Sequence, residues 1–548
     1  MAIKISGNTV IDDSQNISVS GNATANSFVG DGSNLTNLPG GGNVTEATAS
    51  GTLADGDPVV VNTDGTVSAV EQVGSAWIAT LGGRGVEVDS SGNVYVCGYN
   101  SSIGQGSHEI YLVKYNSSGV IQWQRSLGGT SSDYGHGLAL DSSGGLYIGG
   151  FTSSAGQGGN DMMIAKYNSS GAIQWQRTLG SSGNDQGLNV ATDSSDNVYL
   201  CGTSATSGAG MEELIIAKYN SSGTIQWQRR LGGSANDVAY GVATDSSDNV
   251  YVCGSTRSNS SNTDMIIAKY NSSGTIQWQR LLYSSSGSDI ARRITTDSSG
   301  NVYISGHTNS IGQGNADLLI AKYNTSGTLQ WQRIIGGTGA EYGYGIAVDS
   351  SGGVYFGGSG GSSADIFLAK YNSSGVIQWQ RYLTYDWDSL YDLTIDDSGS
   401  LYFTGGVVTA KLPTDGSLTG TYGSYTYAAS SLTEAASTLT SSSSSFTAGT
   451  SYLSDQSISL TDASSNLTST VTSLTPSNLT SENFIGISDG AYTNGQTATV
   501  QLIGSVDDAQ SGLTPGQKYY VQNDGTLTES GSVFAGTAVS STSLVVKS

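Results

Sequence analysis

The sequence predicts an all-β protein: a seven-bladed β-propeller with four-stranded blades, flanked by small β-modules and a Ser/Thr-rich heptad connector. Three observations carry the propeller. First, the string Gln-Trp-Gln-Arg recurs with its tryptophan at Trp123, Trp175, Trp227, Trp278, Trp331 and Trp379, about one copy per 50 residues. Second, an Asp, a Tyr and a Lys hold fixed places in the repeat and occur seven times each. They are Asp89, Asp141, Asp193, Asp245, Asp297, Asp349 and Asp396; Tyr95, Tyr147, Tyr199, Tyr251, Tyr303, Tyr355 and Tyr402; and Lys114, Lys166, Lys218, Lys269, Lys322, Lys370 and Lys411. Third, 77 Gly, 30 Tyr and only five Pro in 548 residues read as many short strands joined by tight turns. All five prolines lie outside 77–412, as an uninterrupted ladder requires.

One unit shows the order of its elements. Gly137-Leu138-Ala139-Leu140-Asp141 is an alternating strand that ends at the Asp. The turn Ser142-Ser143-Gly144 leads to a second strand, Leu146-Tyr147-Ile148-Gly149-Gly150. After a variable loop comes a third, Met163-Ile164-Ala165-Lys166-Tyr167. Asn168-Ser169-Ser170-Gly171 turns into the fourth, Ile173-Gln174-Trp175-Gln176-Arg177. Four strands in a unit of this length match one propeller blade. The unclaimed Trp77, in Ser75-Ala76-Trp77-Ile78, is the favoured fourth strand of the last blade and would remove its open edge. The competing source is 418–423.

The repeat also interprets single residues. Cys97, Cys201 and Cys253 share a position held elsewhere by Gly149, Ser305, Gly357 and Thr404, so they read as small packing residues. The repeated Asp reads as a turn residue that accepts backbone N–H groups, not as a metal ligand. The Asn-Ser-Ser copies read as hairpin turns, and the Trp and Arg of each fourth strand as packing between blades.

Composition excludes several classes. With 21 basic and 44 acidic residues the formal net charge is −23, so a nucleic-acid partner is not expected. No run of about 18 apolar residues predicts membrane insertion. The N-terminal Met1-Ala2-Ile3-Lys4-Ile5 lacks a signal-peptide core, which leads to an expectation of synthesis in a host cytoplasm.

The flanks add a resemblance. Ala23-Thr24-Ala25-Asn26-Ser27-Phe28-Val29-Gly30-Asp31-Gly32-Ser33-Asn34-Leu35-Thr36-Asn37-Leu38 resembles a segment common in bacteriophage tail-fibre and other virion proteins, especially of cyanophages. The end of the chain, with Tyr492-Thr493-Asn494-Gly495-Gln496 and 513–527, is similar to the end domain of the same proteins. Asn93-Val94-Tyr95-Val96-Cys97-Gly98 resembles a bacterial propeller repeat. The resemblance implies a virion location, partnership with other tail-fibre proteins and an extended, homotrimeric assembly. Residues 53–67 and 513–527 also parallel each other as strand, Asp-Gly turn, strand, so the propeller reads as an insert between two copies of a small β-module. The expected domains are a fibre-like segment at 1–41, a β-module at 42–75, the propeller at 76–423, the connector at 424–480 and a C-terminal β-module at 481–548.

In the connector, Leu418, Tyr425, Leu432, Leu439, Phe446, Leu453, Leu460, Leu467 and Leu474 are spaced by seven. Such a heptad is a coiled-coil signature. Its other core position is small or polar, so a helical stalk, an intertwined β stalk and a flexible linker all remain open.

Motifs that carry catalysis are absent: His108, His136 and His307 lie in different blades, and no zinc spacing, Walker loop or nucleophile elbow occurs. No catalytic residue, metal or cofactor is expected. The constant turns share one face of the disk and the variable loops the other, where a rigid scaffold displays binding residues. Those loops hold Trp387, Tyr385, Tyr134, Tyr342, Tyr344 and His307, which could stack on sugar rings. Trp387 lies outside the blade pattern. The expectation is a non-enzymatic virion structural protein, a tail fibre or fibre-associated appendage, recognising a host-surface glycan or protein receptor. A propeller-based glycan depolymerase and a purely structural spacer are the alternatives.

Overall fold

The computed structural model describes residues 76–416 other than 105, 206–211, 259–261, 361–364, 385–388 and 397. Beyond these it describes 418, 420–422, 425–430, 432 and the strands named below. Two compact units result, one of 76–474 and one of 1–75 with 475–548.

The first unit is a seven-bladed β-propeller. Blade 2 shows the pattern: Asp133–Leu140, Leu146–Thr152, Asp161–Tyr167 and Ile173–Gly180 form an antiparallel meander. The register explains the three recurring markers. Tyr147 faces Lys166, and Lys166 faces Trp175, so the three form one row across the blade. Lys166 Nζ lies 4.8 Å from the Tyr147 ring centre and 2.9 Å from Asp141 Oδ2. Asp193 shows what the turn Asp does in the next blade. Its Oδ1 accepts N–H groups from Ser195 and Asn197, and its Oδ2 accepts the Tyr199 hydroxyl and pairs with Lys218 at 3.0 Å. Burial pushes this carboxyl up, but bonds from Asn197, Lys218 and Tyr199 outweigh it and hold the pKa below the ordinary value. The turn reading of the Asp therefore holds.

The ring closes through Trp77. Blade 7 consists of Leu390–Ile395, Ser400–Gly405 and Thr409–Pro413, with Ala76–Ala79 as its fourth strand. Tyr402 faces Lys411 and Lys411 faces Trp77, repeating the row of the other blades. The competing segment, Gly420–Tyr422, pairs with Tyr425–Ala429 at the edge of blade 6 instead.

The core lies between blades, not within them. Leu138, Ile148 and Met163 of blade 2 pack with Tyr95, Cys97 and Leu112 of blade 1, and clusters of this kind recur around the ring. All three cysteines are free and buried there, as the repeat implied. A polar latch supplements the packing. Trp175 Nε1 donates to Ser221 O at 3.0 Å and Arg177 Nε to Gly223 O at 2.9 Å, both on the hairpin turn of the next blade. Gly223 has φ +76, and a Cβ there would meet the Trp175 ring at 2.6 Å. Trp77 completes the series by donating to Ser117 O in blade 1.

The heptad segment is β-structured and belongs to the propeller. Tyr425–Ala429, Thr433–Ala436, Thr440–Ser443, Thr447–Thr450, Ser454–Ser457, Thr461–Ala463 and Val471–Leu474 each add a strand outside the fourth strand of one blade. The order is blade 6, 5, 4, 3, 2, 1 and then 7, so the chain retraces the ring backwards as a belt. Seven extended residues reach at most about 25 Å, enough for one short strand and a step to the next blade. The period of seven thus counts blades rather than helical turns. Each belt strand also covers an edge that would otherwise be open.

The second unit contains two five-stranded sheets with the same plan. One has the order Val44–Thr48, Thr497–Gln501, Phe484–Ser488, Pro58–Val61, Val67–Ala69; the other has Val506–Asp507, Leu544–Val546, Val533–Ala538, Lys518–Val521, Leu527–Thr528. Val61 faces Val67 and Val521 faces Leu527 across equivalent hairpins, as the parallel between 53–67 and 513–527 requires. The propeller is therefore inserted inside the first copy, between its third and fourth strands in chain order. Residues 484–501, expected in the C-terminal module, complete the N-terminal sheet. In the fibre-like segment only the pair Lys4–Ile5 with Asn8–Thr9 is described.

Candidate functional site: the axial mouth

The first strand of each blade lines the axis, and six of the seven carry a bulge at one position. The ladder slips between Gly135 and Gly137, Gly187 and Asn189, Ala239 and Gly241, Ala291 and Arg293, Gly343 and Gly345, and Leu390 and Asp392. The extra residues are His136, Leu188, Tyr240, Arg292, Tyr344 and Tyr391. A bulge takes its residue out of the pairing and re-aims its side chain. In blade 1 the equivalent position, five residues before the turn Asp, is Arg84, just ahead of the strand Gly85–Val88. These seven residues lie toward the variable-loop end of the first strands.

Most of the ring is in mutual contact. Arg84 Cζ stands 3.7 Å from the Tyr391 ring centre and 5.2 Å from that of Tyr99, whose hydroxyl accepts from Arg84 Nη2 at 2.7 Å. Tyr391 meets Tyr344 edge-on at 5.6 Å. Arg292 Cζ lies 5.8 Å from Tyr344 and 4.4 Å from Tyr240. On the other side Tyr99 contacts His136, which stacks on Phe151 at 5.4 Å. Burial and then the charges of Arg84 and Arg293 hold the His136 pKa down at about 3, so the imidazole is neutral at physiological pH.

Beneath the mouth an ion pair spans non-adjacent blades. Arg293 of blade 5 approaches Asp392 of blade 7 at 3.4 Å and donates to Tyr240 O and Arg84 O. Asp392 Oδ2 also accepts the Val86 N–H. Beside it, enclosure and then the Asp392 charge raise the Glu87 carboxyl to about 8. Among the described residues no group of three or more His, Cys, Asp or Glu could hold a metal ion.

The residues expected from sequence are divided by this arrangement. Tyr344 is part of the ring. His307 and Tyr342 form an edge-on pair at 4.8 Å in the neighbouring blades 5 and 6. His307 is nearly buried, and burial with the Arg292 charge lowers its pKa to about 3, while Tyr342 is 36% exposed. Tyr134 packs between Tyr99 and Phe151 and bonds His108 Nδ1 at 3.3 Å, so it buttresses the mouth near blade 1. Trp387 and Tyr385 lie outside the described residues. Sequence reading missed Arg84, His136, Tyr240, Arg292 and Tyr391 as a set. The signal was present: five residues before each turn Asp, where Gly often flanks it, the repeat changes residue in nearly every blade.

Residues 122–156, 226–260 and 277–312 match the family described as Beta-propeller repeat. The chain carries beta-propeller repeats. Curated relatives are more distant. An uncharacterized WD repeat-containing protein of Acanthamoeba polyphaga mimivirus is 26% identical over 247 residues, covering 32% of this chain and 18% of that protein. The regulatory protein FlaEY of Caulobacter vibrioides is 27% identical over 115 residues, covering 19% of this chain and 12% of that one. The chain therefore spans less than a fifth of the length of either. Among solved structures, a streptogramin B lyase aligns at a TM-score of 0.42 and 13% identity, covering 62% of this chain and 97% of that one. Polysaccharide lyase Uly1 aligns at 0.38 and 10%, covering 61% and 90%. Likenesses of this degree carry nothing about activity.

Proposed function

We propose that this chain is a non-enzymatic virion structural protein, a tail fibre or fibre-associated appendage, whose propeller presents the axial mouth to a host-surface glycan. The observation that supports recognition most is the division of labour within each blade. The constant turns are occupied by the Asp–Lys–Tyr row and by the latches between blades. The bulge residues at the other end are free to differ, and most of them are Arg, Tyr or His. Sequence-diverse aromatic and guanidinium groups on a rigid frame suit binding at low entropic cost. The fibre resemblance of 23–38 supplies the virion assignment. Antibodies to the propeller should label appendages of the particle whose genome encodes the chain, and the purified protein should adsorb to host cells. Absence from purified particles overturns the virion role; loss of adsorption in Tyr344→Ala, but not in Ser195→Ala on the constant-turn face, supports the mouth.

A second reading, glycan depolymerisation, draws on one observation: the carboxyls of Glu87 and Asp392 lie close enough together beneath the mouth for the Asp392 charge to act on Glu87, and glycosidases work with such a carboxyl pair. Incubation with host polysaccharide decides it, since an unchanged chain length rejects catalysis.

A further inference from the structure

We infer that the axial mouth takes an acidic sugar, a saccharide unit bearing a carboxylate or sulfate, with its anionic group held by Arg84 and Arg292. This deepens the recognition role and rests on it. Most cations of this chain are already engaged. The third-strand lysines of blades 1 to 6 pair with their turn aspartates. Latch arginines such as Arg125, Arg177, Arg229, Arg280 and Arg381 donate to carbonyls of the next blade. Arg230 pairs with Glu213 and Arg293 with Asp392. In a chain of net charge −23, carboxylates are plentiful. Yet among the described residues neither Arg84 nor Arg292 has one within ion-pair distance.

Their surroundings hold them ready instead. Each guanidinium lies near two tyrosine rings, Tyr391 and Tyr99 for Arg84, Tyr240 and Tyr344 for Arg292. Contact with a ring uses the face of the guanidinium and leaves its in-plane N–H donors, apart from the Arg84 Nη2–H given to the Tyr99 hydroxyl, available to an anion. Arg292 Nε is buried without a hydrogen-bond partner, and so is Nδ1 of His307, whose pKa the Arg292 charge helps to lower. An unpaired buried donor costs roughly 1–3 kcal/mol, and an oxyanion would satisfy it. Tyr344 and Tyr391, in contact with each other and with these two arginines, offer faces and hydroxyls to the sugar ring. The overall negative charge opposes indiscriminate adsorption of polyanions, so such binding has to be local.

Calorimetric titration of the full chain tests this with three probes of equal length: an oligogalacturonate, its carboxyl-reduced neutral counterpart, and a sulfated galactan oligomer. The inference expects binding of at least one acidic probe and about tenfold or weaker affinity for the neutral one. Arg84→Ala and Arg292→Ala should each weaken acidic binding about tenfold, Arg292→Lys by less, and Arg257→Ala, an exposed arginine of another loop, not at all. Unchanged thermal midpoints confirm that the variants fold. Equal binding of acidic and neutral probes, indifferent to both arginines, overturns the acidic-sugar assignment and leaves glycan recognition standing. If no probe binds and the protein also fails to adsorb to host cells, both fall. If no probe binds while adsorption persists unchanged in Arg84→Ala and Arg292→Ala, this inference alone is overturned.

Discussion

Lys411 faces Trp77 across the last ladder of the ring, in the register that Lys166 and Trp175 share within blade 2. The first propeller strand in the chain is therefore the last strand of the ring. Trp77 is fully buried and lies in the cluster that joins blades 7 and 1, with Tyr402, Val94 and Tyr115. It also donates to Ser117 O, as each other repeat tryptophan does to its neighbour. Closure, packing and latch thus converge on one side chain.

Trp77→Ala should consequently cost more than the same change elsewhere in the series. Removing a buried aromatic typically costs about 3–5 kcal/mol, whereas the half-buried Trp227 should cost about 1–2 kcal/mol. Urea denaturation of the two variants provides the comparison. Equal losses would mean that Trp77 is an ordinary rim residue and that the ring is closed by something else.

The latch makes a distinction between glycines of nearly identical backbone. Gly144 and Gly223 have φ +75 and +76, but a Cβ at Gly144 meets only Ser169 Cβ at 3.8 Å, while one at Gly223 drives into Trp175. Gly144→Ala should cost only the left-handed strain, about 1–2 kcal/mol. Gly223→Ala adds displacement of the indole and should be clearly worse by the same denaturation assay. If the two are equal, the Trp–turn contact contributes nothing measurable.

Acidity acts on the blade junctions in a defined direction. Burial, followed by the charge of Glu341, raises Asp317 from 3.8 to about 6. A carboxyl raised in the folded state contributes stability that is full below the unfolded pKa and is lost as pH rises through the folded one. His136 and His307, lowered from 6.5 to about 3, act oppositely over much of the same span, so the wild-type curve alone is not diagnostic. The difference is: the melting temperature of Asp317→Asn minus that of wild type should grow from about pH 4 to about pH 7. A difference that stays flat contradicts a raised carboxyl. The turn carboxyls of Asp89, Asp141, Asp193, Asp245, Asp349 and Asp396 are lowered instead, so their contribution is present above 3.8 and lost below it.

The belt predicts protection on the outer edge of every blade. Ser441 and Ser442 lie opposite Leu282 and Leu281. Replacing both with proline removes their ladder donors. Amide exchange across Arg280–Tyr283 should then speed up about tenfold or more, with little change in other blades. Unaltered exchange would show that the belt strand does not pair there.

How far the sequence carried these results depended on the repeat. The blade count, the strand order and the role of the cysteines were legible because Asp, Tyr, Lys and Trp are tied to one another by register, and such ties repeat. Trp77 could be placed for the same reason. The belt was not legible, because a spacing of seven has a helical meaning as well as a circumferential one, and nothing local in Thr-Ser-Ser-Ser shows that its pairing partner is a distant blade. The split of the first β-module was hidden similarly, since Val59 pairs with Gly486 across the whole insertion. For the mouth, aromatic content in loops drew attention to Tyr134 and Tyr342, whereas the bulge position that gathers Arg84, Tyr240, Arg292 and Tyr391 is a backbone property. Its traces in the sequence are the flanking glycines and a residue that changes from blade to blade.

The central claim is that the axial mouth is the recognition surface of this protein. Hydrogen exchange of the full chain with and without host-surface polysaccharide tests it most directly. The account predicts slowed exchange at 84–86, 238–241, 290–293, 342–345 and 390–392, with the Asp-turns of the opposite face unchanged. Protection confined to those turns, or to the rim, would contradict it.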